Sequence, residues 1–166
     1  MRVKTRYGDW EIEEEKIIFM EGPILGFEKI RRYALLSGGA GVPFYWLQAV
    51  DEPAVAFLVV EPKVVCPAYD PDLKRICGEM EIFEEDDLAL LSILTIREHP
   101  FSASVNLRAP LVLNVRTKKG RQIVLEDERF PVRYAIEVIK AKDTPSDSFP
   151  PKGIESLAGE IVKHCG

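Results

Sequence analysis

Short apolar runs separated by charged or proline-containing breaks mark the chain from residue 3 to about residue 126. They predict strands. Residues 44–50, FYWLQAV, and 55–60, VAFLVV, are rich in β-branched and aromatic side chains. The intervening DEPA reads as a hairpin turn. Residues 88–96, LALLSILTI, fit a helix on periodicity alone, but Ile93, Thr95 and Ile96 favour a strand. Further strands are expected over 103–107, 111–117 and 121–126, with shorter ones at 3–7, 11–12, 16–19 and 33–36. Leu111, Leu113 and Val115 alternate with Val112, Asn114 and Arg116, which predicts one inward face and one partly outward face. TKKGR joins the last two strands, with Gly120 expected at the left-handed position of a type I turn with a bulge. Elsewhere apolar residues occur at both parities, as in a closed or strongly curved sheet.

Helical signals are few. Asp70 and Pro71 can start one short helix and Gly78 can end it. Glu84, Glu85, Asp86 and Asp87 suit a single helical turn, because negative charge favours a helix N-terminus. The expected fold is all-β and mostly antiparallel. It is a small β-barrel-like domain over residues 1–140 with one or two short helices. Phe44, Tyr45, Trp46, Phe57, Leu111, Leu113 and Val124 are its expected core. Residues 143–153, DTPSDSFPPKG, have linker composition. After them Ile154, Leu157, Ala158, Ile161 and Val162 recur at helical spacing. Residues 141–166 are therefore expected to form a linker and an amphipathic C-terminal helix that docks on the barrel or on a partner.

Composition narrows the class. A chain of 166 residues, 46% hydrophobic and 30% charged, fits one globular domain. No apolar run approaches the ~20 residues that span a bilayer, and MRVKTRYGDWEIEEE has no apolar signal segment. The expected location is the cytoplasm, with no membrane contact. Cys66, Cys77 and Cys165 lack a CxxC spacing and are expected as reduced thiols. The net charge of −5 disfavours phosphate backbones. Lys118, Lys119 and Arg121 cluster at a turn, so direct nucleic-acid binding is not expected. A basic partner fits the charge better.

Candidate chemistry is sparse. His99 and His164 have no nucleophile motif beside them, and His164-Cys165 lacks a second ligand pair. No cofactor or metal is expected. Acidic runs at 13–15, 84–87 and 126–128 read as solvated turns or edges. The alternative is a small acidic hydrolase using paired carboxylates, which requires two of them facing each other in a cleft. Residues 19–28, FMEGPILGFE, lack the lysine and hydroxyl of a phosphate loop, and Pro23 removes a backbone donor. They suit a barrel corner that sets Phe19 and Phe27 in apolar surroundings and offers Ile24 or Leu25 to a partner.

Several stretches, in this order and spacing, resemble the bacterial flagellar assembly factor FliW family. They are the loop at 19–28, FYWLQAVDEP (44–53), AFLVVEP (56–62), DLALLSILTI (87–96), NLRAPLVLN (106–114), GRQIVL (120–125) and RFPVR (129–133). The likeness runs from about residue 3 to about residue 135. It departs from the family in having three residues, not two, between Gly22 and Gly26, and the resemblance assigns no role to the tail after about residue 140. The resemblance implies a non-catalytic, mostly antiparallel barrel. It also implies binding to the RNA-binding translational regulator CsrA and to flagellin, which compete for the protein and so couple flagellin translation to flagellar assembly. Two surfaces are expected to meet partners. One is the loop with Glu21, Ile24, Leu25, Phe27 and Glu28. The other is the acidic turn of Glu84, Glu85, Asp86 and Asp87.

Overall fold

Residues 1–37, 43–98, 101–136 and 158–161 are described in the computed structural model. Their strands are β1 (Arg2–Thr5), β2 (Gly8–Glu11), β3 (Ile18–Met20), β4 (Arg32–Ser37), β5 (Phe44–Ala49), β6 (Ala56–Val60), β7 (Leu88–Glu98), β8 (Phe101–Val105), β9 (Leu111–Asn114), β10 (Lys119–Gln122), β11 (Tyr134–Ile136) and β12 (Ala158–Ile161). Seven of them close a ring in the order β4-β3-β10-β9-β7-β6-β5 and back to β4. The all-β, barrel-like expectation holds. The ring is antiparallel except at β3–β10, where Phe19 lies opposite Lys119 in parallel register. β8 extends the far end of β7, and β11 adds to β8. The β1–β2 hairpin stands outside the ring.

The ring encloses side chains. Ile18, Met20, Tyr33, Leu35, Tyr45, Leu47, Val59, Leu91, Leu111 and Leu113 are buried in one cluster. Full burial of each aliphatic contributes roughly 1.5–3 kcal/mol. Tyr45, Leu111 and Leu113 are core as expected. Phe44, Trp46 and Phe57 are half-buried, Phe57 meeting Phe27 edge to face at 4.8 Å.

Several expectations are corrected. β9 has no outward face. Val112 is fully buried beneath Ile76, Met80 and Ile82, because the helix α2 (Lys74–Glu79) covers it. That helix starts later than Asp70 and Pro71, and Gly78 lies inside it. The left-handed exit is Glu81, at φ 56°. A second short helix, α1 (Pro62–Val65), opens on its proline. Glu85–Asp87 forms the expected single turn, of 3-10 type. Val124 is 63% exposed, not core, because its neighbours Ile123 and Leu125 pack inward and alternation turns it out. In the β9–β10 turn the left-handed residue is Lys118, at φ 62°, not Gly120. Gly120 is required instead by close packing. A Cβ there would lie 2.5 Å from Leu113 Cδ2 and 2.8 Å from Met20 Sδ.

The tail also differs over its described part. Ala158–Ile161 is a strand, not helix. It lies between two backbone edges, antiparallel to β2 and parallel to β4. Hydrogen-bonding partners on both sides override helical spacing, and Gly159 is a poor helix former in any case. The rest of the expected linker and helix lies outside the described residues, as do His99, His164 and Cys165. Cys66 and Cys77 are free thiols, and burial pushes the Cys77 thiol up. Among the described residues no helix is long and apolar enough to cross a membrane.

Candidate functional site

The loop after β3 is a corner built on two inward anchors. Ile24 is 1% exposed and belongs to the barrel core, so it is not available to a partner as expected. Phe27 is half-buried beside it, its N–H donating to Ile24 O at 2.8 Å. Gly26, at φ 92°, permits that reversal. Leu25 between them is 64% exposed. Its N–H donates to Gln122 Oε1 at 2.9 Å, while Gln122 Nε2 donates to Ala109 O at 3.2 Å. Gln122 thus pins the corner to the barrel wall. Glu21 and Glu28 are exposed. Phe19 is also half-exposed, against expectation. Ile18 and Met20 point into the ring, so strand alternation turns Phe19 out.

The acidic turn is exposed at Glu84, Glu85 and Asp86. Asp87 is tied down. Its carboxylate lies 3.7 Å from Arg116, and its carbonyl accepts the Val115 N–H at 2.7 Å.

The two expected surfaces are joined through residues that sequence reasoning missed. Arg121 lies 3.4 Å from Glu21 and 3.2 Å from Glu79, at the end of α2. Two residues further on, the carbonyl of Glu81 accepts from Arg116 Nη2 at 3.5 Å. The segment 79–83 therefore bridges the corner on one side and the acidic turn on the other. At its end Phe83 is 78% exposed. The signal was present in EIFEEDD, where Ile82 alternates inward and Phe83 outward. An exposed aromatic within a rim of carboxylates suits a partner that is basic and partly apolar.

The basic cluster at 118–121 does not offer a phosphate track. Arg121 is engaged by two carboxylates, and the Lys118 ammonium donates to the Val115 carbonyl. The hydrolase alternative requires two carboxylates facing each other in a cleft. The barrel interior is filled by apolar side chains. A surface depression of about 570 Å³ does carry Asp72, Glu79, Glu126 and Asp127. Yet hydrogen bonds from Arg129 hold the Asp127 carboxyl below its usual range, the opposite of a general acid. Burial raises the Glu61 carboxyl, but Glu61 precedes α1 and is not among the residues lining that depression.

A second cleft, of about 290 Å³, lies between the β1–β2 hairpin and the outer faces of β4–β6. Tyr7, Trp10 and Trp46 line it, with the Tyr7 and Trp46 rings 6.3 Å apart. No expected site residue lies there.

Comparison with known proteins adds an independent line. The family profile described as "FliW protein" matches residues 2–136, ending where β11 ends. The flagellar assembly factor FliW of Syntrophus aciditrophicus (strain SB) is 47% identical over 133 residues, covering 80% of this chain and 84% of the relative. That of Geotalea uraniireducens (strain Rf4) is 37% identical over 159 residues, covering 90% and 97%. A crystal structure of the flagellar assembly factor FliW superimposes with a TM-score of 0.73 at 34% identity, covering 81% of this chain and 96% of that one.

Proposed function

The chain belongs to the FliW family, and on that footing we propose that it is a cytoplasmic, non-catalytic flagellar assembly factor that works by binding proteins. Its partners in this reading are a CsrA-type RNA-binding regulator and flagellin. Flagellin that is not yet exported occupies the protein and leaves the regulator free to repress. Export releases the protein to sequester the regulator. The coupling is mass action between two ligands.

The observation that best supports this reading is exposed Phe83 followed directly by the exposed carboxylates Glu84, Glu85 and Asp86, in the connection between α2 and β7. A basic RNA-binding protein is drawn to such a rim, which speeds encounter more than it strengthens the complex. The exposed ring supplies the apolar contact that slows dissociation. Flagellin segments that form amphipathic helices would use apolar surface in the same way.

The test is titration calorimetry of the full chain with the CsrA homologue and the flagellin of the same cell, at low and moderate salt. Binding of each at micromolar concentration or below, with affinity for the basic regulator that falls as salt rises, is expected. No heat and no co-elution with either partner would overturn the proposal.

A further inference from the structure

The closed ring leaves β12 out. At Tyr33 and Arg32 one side of β4 pairs with β3, but at Leu35 and Leu36 that same side is free for another strand. The outer side of β2 is likewise unused by β1. β12 fills the gap, with Ala158 opposite Leu35, Gly159 opposite Leu36, Glu160 opposite Glu11 and Ile161 opposite Trp10. β2 and β4 share no pairing of their own. They are the two walls of a slot one strand wide.

We propose that this slot is a strand-acceptor site, that β12 is its displaceable occupant in cis, and that an extended segment of a partner protein takes its place. The reasons are three. First, the slot presents two backbone edges, and an uncovered edge recruits a strand. Second, β12 lies outside residues 2–136 that the family profile matches, and the ring of seven strands closes without it. Third, the slot adjoins the cleft of Tyr7, Trp10 and Trp46, which can read side chains once the backbone is seated. The register states what the incoming segment must carry. Small residues belong beside Leu35 and Leu36, and a branched aliphatic belongs opposite Trp10. Because β12 is tethered through residues 137–157, a free segment competes against an effective concentration on the order of millimolar.

The protein reports on this slot by itself. Its two tryptophans are Trp10 and Trp46, and both line the adjoining cleft. The probe is a capped synthetic peptide of residues 156–163, SLAGEIVK, added to the full chain and to the full-length double variant Gly159→Pro, Ile161→Pro, which removes two backbone donors from β12. The variant is expected to show red-shifted tryptophan emission, reversed by the peptide but not by a scrambled one. The unmodified chain is expected to need at least about tenfold more peptide for the same signal. Equal peptide affinity for both chains, or no peptide binding to the variant, would overturn the proposal. Hydrogen exchange on the unmodified chain guards against a variant that fails to fold. Residues 158–161 are expected to exchange well before β5 and β9, by smaller local opening. Exchange of all three together would overturn displaceability.

Discussion

The guanidinium of Arg121 lies 3.2 Å from the carboxylate of Glu79, tying the end of α2 to strand β10. Arg121 turns its other face to Glu21 at 3.4 Å, so one cation holds three elements. Both contacts are partly solvated, and such pairs contribute up to about 1 kcal/mol each. Arg121→Ala is expected to lower unfolding free energy by no more than ~1–2 kcal/mol. The loss should shrink in high salt as screening weakens the pairs in the unmodified protein. Urea titrations at low and high salt check this, and a salt-independent loss would assign the effect to packing.

Phe83 is far more exposed than any core aromatic, so its stability role is small. Phe83→Ala should change unfolding free energy by less than ~0.5 kcal/mol. It should speed dissociation of the basic partner by about tenfold or more. Surface plasmon resonance separates this from Glu84→Lys with Glu85→Lys, which should slow association instead.

Asn114 is 1% exposed and hydrogen-bonded at both ends of its amide. Its Nδ2 donates to Met80 O at 3.0 Å, and its Oδ1 accepts from the N–H groups of Arg116 and Thr117 at 3.0 and 3.2 Å. Asn114→Ala strands all three groups and should cost about 2–4 kcal/mol. Denaturant unfolding measures it directly.

Gly120→Ala puts a methyl group where Leu113 and Met20 already meet. Both can yield somewhat, since side-chain ends are what the methyl strikes. The expected loss is about 1–3 kcal/mol. Met20→Ala in the same chain should recover part of it, and additive losses would refute the steric account.

Burial pushes the Tyr33 phenol up to about 12 from its ordinary 10.0. The Tyr69 phenol moves in the same direction and donates to Leu107 O at 2.7 Å. The folded state therefore keeps protons that the unfolded state gives up. The associated stability is complete below about pH 10 and falls away as pH rises toward 12. Urea midpoints across that range should drop, and Tyr33→Phe should make the drop shallower.

The ring was legible because its strands announce themselves. Residues 44–60 and 88–96 carry β-branched and aromatic runs whose pairing needs little else. The misses share a cause, which is long-range contact. Val112 reads as outward until α2 is seen to cover it. Gly120 reads as a turn residue until Met20, a hundred positions earlier, is seen against it. Ile24 reads as displayed, yet the corner folds it into the core. Helical spacing in the tail gives way over 158–161 to two waiting backbone edges. Of the site, the acidic turn was visible as a charge run. Glu79, Arg121 and the exposure of Phe83 were not, since they depend on where α2 ends.

The parallel seam between β3 and β10 also governs how the protein is born. β3 leaves the ribosome about a hundred residues before β10 does, and its partner edge stays open throughout. Closure has to wait for residue 122, so nearly the whole domain emerges as an unsealed sheet. Any factor that shields nascent chains would meet this one with its greasy lumen still facing outward.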